Sequence, residues 1–252
     1  MPKQDLVFRT PITNAAGMLG FSPDPRSIHG YEHLGAFFTN PISLEPRTPA
    51  TLRCALPFNG GVLLHSGYPN PGLGQVVKKH GRVWSKSDIP IILHLMADDL
   101  HSMEKMVGML ENVEGVSGLE ISFGPECKPQ EMVQMLQILI MERPVIAQLD
   151  SEQMQMVLPL METNSLSAVS MIGKRGSLPF NCGKGETVNI TGRLFGPSLF
   201  PQALLEMEKA LPYGFPVIIS GGITKKIQVE QALSSGAYAV QLDTILWGKG
   251  GF

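Results

Sequence analysis

The chain has 252 residues, a length at which α/β barrels of about 250 residues form one domain, so we expect a single domain over residues 1–252. Hydrophobic residues make up 43% and charged residues 17%, which excludes a disordered or fibrous chain. The formal net charge is −2 and the basic residues are scattered, which gives no electrostatic signature of nucleic-acid binding and favours a small-molecule ligand.

The first ten residues, MPKQDLVFRT, contain no apolar run of signal-peptide length. No stretch approaches the roughly 18 apolar residues that a membrane-spanning helix needs. We therefore expect a cytoplasmic protein that does not act at a membrane. Its three cysteines lie far apart without a CxxC pair, so we predict neither a disulfide framework nor a metal site. A homo-oligomer is compatible with the sequence.

Short apolar runs alternate with amphipathic stretches along the chain, which is typical of repeated β-α units around a parallel sheet. The predicted strands span residues 12–16, 36–40, 91–96, 119–123, 145–149, 168–172, 217–220 and 239–242. Several lie in nearly continuous apolar runs, as strands buried on both faces do. Eight such strands predict an α/β fold with a single (β/α)8 TIM barrel, with an open doubly wound sheet as the alternative.

Five segments have apolar residues at helical spacing. They span residues 100–110, 130–141, 152–161, 198–211 and 225–235. Two long segments break the rhythm: residues 43–84 predict an inserted excursion after strand 2, and residues 173–195 predict a long loop after strand 6. Such excursions usually build the active-site face of a barrel, with disorder as the alternative for the second.

Glycines at two strand ends could present backbone amides to an anion. Ser220, Gly221 and Gly222 end a predicted strand before a helix, where barrels commonly bind phosphate. Gly196 precedes Pro197 at the start of another predicted helix. An ordinary turn is the alternative at each glycine, but two such sites together favour a phosphate-bearing ligand.

Motifs spread over most of the chain resemble those of the dihydroorotate dehydrogenase family, in order and spacing. They are TPITNAAG at residues 10–17, LGAFFTNPISLEPR at 34–47, SGYPNPGL at 66–73, GRLFGP at 192–197, ISGGI at 219–223 and AVQLDT at 239–244. The resemblance implies an oxidoreductase of the CH–CH class, related to pyrimidine biosynthesis, with FMN at the C-terminal ends of the strands. It assigns to the cofactor Ala16, Gly17, Asn40, Gln148, Gly196, Ser220, Gly221, Gly222, Asp243 and Thr244.

The chain departs from the family near the flavin. Two lysines of the family correspond to Asn40 and Gln148, and a neutral amide offers a reduced anionic flavin only a dipole, so we expect its reduction to be harder. Asp243 replaces a glycine beside the phosphate, which it would repel unless it turns outward or pairs with a cation. Candidate cations are Lys174, Lys184 and Arg193.

The family's general base, a cysteine or in a second class a serine, corresponds to Pro125 in an ungapped alignment. Cys127, two residues later, is then a candidate base if the loop is rebuilt, and Glu126 is the other candidate. The alternative is that Cys127 is an inert, partly buried thiol and Glu126 a surface charge.

The substrate contacts that the resemblance implies have also changed. They fall on His65, Asn70, Ser122 and Ser170. Three of these positions lack the family's asparagine, and each lost buried hydrogen bond typically costs about 1–3 kcal/mol. We therefore predict a flavin oxidoreductase acting on a substrate other than dihydroorotate. The alternatives are a flavin-free barrel for another phosphorylated or anionic small molecule, and a non-catalytic scaffold subunit.

Overall fold

The computed structural model describes residues 6–26, 28, 30–52, 54–124, 126–140, 143–162, 165–183 and 185–248. Its strands are β1 (Ile12–Asn14), β2 (Phe37–Phe38), β3 (Ala55–Phe58), β4 (Gly61–Leu64), β5 (Ile91–Ala97), β6 (Val116–Phe123), β7 (Val145–Leu149), β8 (Ala168–Met171), β9 (Arg175–Gly183), β10 (Glu186–Phe195), β11 (Val217–Ser220) and β12 (Ala239–Leu242). Its α-helices are α1 (Leu73–Trp84), α2 (Leu100–Leu110), α3 (Pro129–Ile140), α4 (Ser151–Val157), α5 (Phe200–Ala210) and α6 (Lys226–Ser234).

Eight parallel strands form a barrel in the order β1-β12-β11-β8-β7-β6-β5-β2. The ends of this order meet through a parallel bridge between Thr13 and Ala36. Asn14 reinforces the closure, because its side-chain nitrogen donates to the Phe38 carbonyl at 2.6 Å and its side-chain oxygen accepts from the Phe38 amide at 2.9 Å. The predicted (β/α)8 TIM barrel is confirmed, and each predicted strand contributes to it.

The barrel interior is apolar at one end and polar at the other. One hydrophobic cluster includes Ile92, Ile146 and Ile218, one residue from each of three strands. Their sequence neighbours pack in a separate, larger cluster with the helices, as expected when side chains alternate between the two faces of a strand. Two residues further along the same strands, towards the C-terminal end, the side chains become polar. The site therefore lies at the end of the barrel where TIM barrels carry their ligands.

The helices cover the outside of the barrel, and two of them begin at aspartate caps. Asp99 accepts a hydrogen bond from the Ser102 amide at 2.7 Å before α2, and Asp150 forms a reciprocal capping box with Gln153 before α4. Such caps satisfy backbone amides that the first helical turn leaves unpaired. None of the helices in the described part of the chain is long and apolar enough to cross a membrane.

The two predicted excursions join in a second sheet, with the order β3-β4-β10-β9 and antiparallel pairing. The segment 173–195, predicted to be a long loop, instead contains both strands of the β9–β10 hairpin. Its strands are held by a small core of their own, which includes Leu63 and Ile190. The segment 43–84 contains the β3–β4 hairpin and also helix α1, which was not predicted from the sequence.

Candidate functional site

A cavity of about 360 Å³ lies between the C-terminal ends of the barrel strands and the second sheet, a volume typical of small-molecule sites. Its floor comes from strand ends and its wall from β4, β10 and the turn that follows β4. Seven residues predicted for cofactor or substrate line it, namely Ala16, Gly17, Asn40, His65, Ser122, Gln148 and Ser220. The structure thus gathers residues from distant motifs around one space.

Asn40 is fixed by the loop that follows β1. Its side-chain oxygen accepts a hydrogen bond from the Gly20 amide at 3.0 Å, and its own backbone amide donates to the Gly20 carbonyl at 2.7 Å. The side-chain amide group of Asn40 therefore faces the cavity in a defined orientation. It supplies a neutral donor at a position for which the resemblance implies a lysine.

A polar network fills the barrel beneath the cavity. His94 Nδ1 lies 2.6 Å from Glu120 Oε2, and its Nε2 lies 2.8 Å from Ser122 Oγ. Glu120 Oε1 also accepts from Ser170 Oγ at 2.5 Å and from Gln241 Nε2 at 3.0 Å. A buried carboxylate is stable only when it is well hydrogen-bonded, and Glu120 has three such donors.

His94 and Glu120 were not predicted as site residues, although the chain contains a signal for both. Each is a polar or charged residue inside an otherwise apolar strand, in the runs IILHLM and GLEISF. Such residues are seldom fully buried without a partner, so their position in a buried strand points to a network. The predicted substrate residues Ser122 and Ser170 are the hydroxyls that complete it.

The predicted phosphate end of the site is filled by a side chain. Asp243, only 1% exposed, accepts hydrogen bonds from the Gly222 amide at 3.2 Å and from the Thr244 amide at 2.5 Å. Burial raises the pKa of Asp243, and the hydrogen bonds from Gly222 and Thr244 offset that rise in part. The Asp243 carboxylate therefore accepts the hydrogen bond of the Gly222 amide, which the resemblance assigns to a cofactor phosphate.

The cations proposed as partners of Asp243 are engaged elsewhere or not described. Lys174 pairs with Glu206 at 3.3 Å, and Arg193 hydrogen-bonds to the Tyr68 hydroxyl and to the Gly173 carbonyl. Lys184 lies outside the described residues. Asp243 is therefore neither turned outward nor paired with one of the described candidates, and its partners are backbone amides and the Thr244 hydroxyl.

The glycines of the predicted anion sites allow backbones to pack closely. A Cβ atom on Gly222 would lie 2.6 Å from the Phe200 nitrogen and 2.7 Å from the Gly196 oxygen. A Cβ atom on Gly196 would lie 2.2 Å from the Gly60 oxygen. Contacts this short are sterically forbidden, so close packing alone explains both glycines. Gly221 lies beside them and lines a small neighbouring cavity of about 30 Å³.

The two predicted catalytic residues do not line the main cavity. Glu126 is exposed, and Cys127 is half-buried against the hydrophobic core outside the barrel. Burial, assisted by the charges of Glu131 and Asp98, raises the pKa of Cys127 to about 11. A thiol with that pKa is protonated at neutral pH, so the geometry favours neither residue as a base, and their roles stay a prediction.

Asn70, predicted to contact the substrate, holds the excursion together. Its side-chain oxygen accepts from the Gly72 amide at 3.0 Å, and its nitrogen donates to Ser43 Oγ at 3.0 Å and to the Tyr68 carbonyl at 3.1 Å. His65 does face the cavity, with Nδ1 2.9 Å from the Thr191 carbonyl.

Two arginines line the cavity wall side by side. Arg175 and Arg193 pair directly across the β9–β10 hairpin, so their side chains leave the same face of the sheet. The Arg193 guanidinium carbon lies 5.9 Å from the centre of the Tyr68 ring. Neither arginine forms an ion pair with any acidic residue that the structure describes. The two positive charges of Arg175 and Arg193, with no carboxylate partner among the described residues, favour an anionic ligand at this wall.

No cluster of three or more potential metal ligands occurs among the described residues. The closed eight-stranded barrel defines the chain as a TIM-barrel protein, with a cavity of ligand size at its C-terminal face. No protein-family model matches the chain.

Curated relatives resemble the chain over most of its length. The chain is 25% identical over 258 residues to "Dihydroorotate dehydrogenase B (NAD(+)), catalytic subunit" of Pelobacter propionicus, covering 95% of this chain and 84% of that protein. The proteins of the same name are 25% identical in Maridesulfovibrio salexigens and 24% identical in Malacoplasma penetrans, with 95% and 94% of this chain covered and 84% and 83% of theirs. The chain is thus similar over nearly its whole length to catalytic subunits of dihydroorotate dehydrogenase, at a low identity that marks it as divergent from them.

Proposed function

We propose that the chain is a flavin-type oxidoreductase of the dihydroorotate dehydrogenase family with a non-standard active site. The observation that carries this proposal is the convergence of Ala16, Gly17, Asn40, Gln148 and Ser220 on one cavity. Each lies at or just beyond the C-terminal end of a barrel strand, the face on which barrel enzymes bind their cofactors. When bound there, a flavin would supply two-electron redox chemistry that no side chain can provide.

The site fits the two ends of FMN differently. The main cavity is of the size class that accepts a small planar ligand. The Gly222 amide does not fit the phosphate, because Asp243 already accepts its hydrogen bond and places a negative charge beside it. We therefore expect FMN to bind less tightly than in a relative with glycine at that position.

The proposed substrate is an anionic small molecule other than dihydroorotate. The hydroxyl of Ser122 is hydrogen-bonded to His94 and that of Ser170 to Glu120. Neither residue therefore offers the free side-chain amide that the resemblance implies for binding a pyrimidine. Arg175, with no acidic partner among the described residues, supplies positive charge at the cavity wall. Recognition would then depend on the charge of the ligand more than on paired amides.

A second candidate function is a flavin-free barrel that binds an anionic small molecule in the same cavity. The burial of Asp243 against Gly222 favours it, because the internal carboxylate takes over a hydrogen bond that a cofactor phosphate would otherwise accept. Fold alone does not decide between the two, since one scaffold can host unrelated functions.

The visible spectrum of the freshly purified full chain tests the first candidate against the second. A yellow protein, or a colourless one that regains flavin absorbance on incubation with FMN, is the result expected for the flavin-type oxidoreductase. A protein that stays colourless after reconstitution, yet is thermally stabilised by small carboxylates or phosphate, would overturn the flavin proposal in favour of the second candidate.

The anionic substrate is tested with Arg175→Gln and, as a matched control, Arg82→Gln on the exposed part of α1. Stabilisation by a small dicarboxylate should weaken in Arg175→Gln and remain unchanged in Arg82→Gln. Equal stabilisation of both variants would contradict an anion site at the cavity wall.

A further inference from the structure

Three side chains form a continuous hydrogen-bonded chain that ends at the cavity. Glu120 is fully buried, His94 is 2% exposed, and Ser122, at 8%, is the most accessible of the three. Both His94 and Ser122 line the cavity, whereas Glu120 does not. The order from the interior outwards is therefore carboxylate, imidazole and hydroxyl.

The hydrogen bonds fix the orientation of the imidazole. Glu120 accepts from Ser170 and Gln241 through Oε1, which leaves Oε2 as the acceptor for His94 Nδ1 at 2.6 Å. With its proton on Nδ1, the neutral ring presents an unprotonated Nε2, 2.8 Å from Ser122 Oγ. Nε2 then accepts the hydroxyl proton of Ser122.

This is the geometry of an activated serine. In such a triad, the base lies within about 2.6–3.2 Å of the nucleophile and is oriented on its other side by a buried carboxylate. The constellation is recognised by these roles and not by chain order or fold. Both distances here fall within that range.

We propose that Ser122, His94 and Glu120 form a nucleophilic triad that transfers acyl groups from carboxylic esters to water. The substrate class is a small ester whose acyl part carries a negative charge, because Arg175 and Arg193 line the same cavity. This activity needs no redox cofactor and does not rest on flavin binding.

The reaction balances without an oxidant or reductant. Ser122 Oγ bonds to the ester carbonyl carbon as its proton passes to His94 Nε2, and the carbonyl electron pair moves to oxygen. Collapse breaks the bond to the leaving alkoxide, which takes the proton from Nε2 and departs as an alcohol. Water then attacks the acyl group, gives a proton to Nε2, and releases the carboxylic acid as that proton returns to Oγ.

Gln148 is placed to stabilise the oxyanion. It lies on β7, next to the strand that carries Ser122, and it lines the same cavity. Its side chain makes no hydrogen bond to any residue that the structure describes, so its amide group remains able to donate. A glutamine amide is one of the donors that can hold a developing negative charge in acyl transfer.

The experiment uses the full chain, an alkyl fluorophosphonate probe and two chromogenic esters. Labelled protein is weighed intact and mapped by peptide mass spectrometry, and the hydrolysis of 4-nitrophenyl hemisuccinate and 4-nitrophenyl acetate is followed. The variants are Ser122→Ala, His94→Gln and, as a control, Ser66→Ala. Ser66 also lines the cavity, but its hydroxyl accepts from the Tyr68 amide and has no histidine partner among the residues that the structure describes.

We expect one probe adduct on Ser122, lost in Ser122→Ala and retained in Ser66→Ala. His94→Gln should lower ester hydrolysis by at least about 1000-fold, as removal of a triad base does elsewhere. The hemisuccinate should be preferred to the acetate, and Arg175→Gln should reduce that preference about threefold, a magnitude typical of one exposed charge.

Absence of an adduct on Ser122, an adduct that survives unchanged in a folded His94→Gln protein, or labelling of Ser66 instead would each overturn the proposal. If circular dichroism shows that His94→Gln does not fold, the probe labelling of Ser122→Ala and Ser66→Ala still tests whether Ser122 is the nucleophile. Slower flavin reduction in Ser122→Ala without any labelling would make Ser122 a proton carrier and would also overturn acyl transfer.

Discussion

The carboxylate of Asp243 accepts a hydrogen bond from the Gly222 amide at 3.2 Å, joining the loops that follow β12 and β11. In barrels, these loops are the usual place for a ligand phosphate. The Asp243 carboxylate thus lies at the position where the family resemblance implies the phosphate of the cofactor. The proposed binding of FMN therefore depends on the identity of residue 243.

Replacing Asp243 by glycine should tighten the binding of FMN at least tenfold, equivalent to about 1.4 kcal/mol. Two unit charges about 5–6 Å apart repel by about 3 kcal/mol at an effective dielectric constant near 20, so a tenfold gain is a modest expectation. Titration calorimetry measures the dissociation constant. Glu111→Gln, which removes an exposed charge at the end of α2, is the control and should leave affinity unchanged. Equal affinities in native protein and Asp243→Gly would contradict this view of the site.

Asp243 should also make stability depend on pH. Burial raises its pKa above the ordinary value of 3.8, so folding favours the protonated carboxyl. That contribution is complete below pH 3.8 and is lost as the pH rises through the folded-state pKa. The unfolding free energy of native protein, relative to Asp243→Asn, should therefore fall with rising pH by at most about 1.4 kcal/mol per unit. Urea titrations from pH 4 to 8 measure the difference, and one that stays constant would rule out a raised pKa.

Gly222→Ala should destabilise the fold by about 2–4 kcal/mol. Its φ of 72° disfavours any residue with a Cβ atom, and that atom would collide with the backbone of Phe200 and Gly196. Gly214→Ala is the matched control, because Gly214 has a similar φ of 78° but open space around it, and should cost only about 1–2 kcal/mol. Chemical unfolding of both variants measures the difference. Equal losses would mean that the close approach at Gly222 is not constraining.

The sequence predicted the barrel because each of its strands is a short apolar run. For β7, β11 and β12, the predicted and observed bounds agree. Helix α1 was missed because it starts at Gly72 without a side-chain cap and contains two further glycines, which weaken the helical signal. The β9–β10 hairpin has alternating apolar residues such as Leu178 and Phe180, but its polar composition suggested a loop.

Part of the candidate site could be predicted from motifs, because residues at strand ends are placed by the barrel itself. The His94–Glu120 contact could not, since it joins directly paired residues of the neighbouring strands β5 and β6 and depends on their register and on which residues point inwards. The position of Asp243 was recognised as unusual, but its hydrogen bond to Gly222 depends on the conformation of two separate loops.

The thiol of Cys127 should react slowly with alkylating agents, in contrast to those of Cys54 and Cys182. Both of the latter are exposed, whereas burial and neighbouring acids raise the pKa of Cys127 to about 11. The thiolate is the nucleophile, and for a pKa of 11 its fraction at pH 8 is about one in a thousand.

We expect iodoacetamide to modify Cys127 at least about tenfold more slowly than Cys54, with a rate that rises about tenfold per pH unit up to pH 10. Single-cysteine variants that retain only Cys127 or only Cys54, analysed by mass spectrometry over time, provide the comparison. Rapid alkylation of Cys127 at pH 7 would reveal an accessible thiolate and restore it as a candidate base, whereas slow alkylation would agree with a protonated, half-buried thiol outside the cavity.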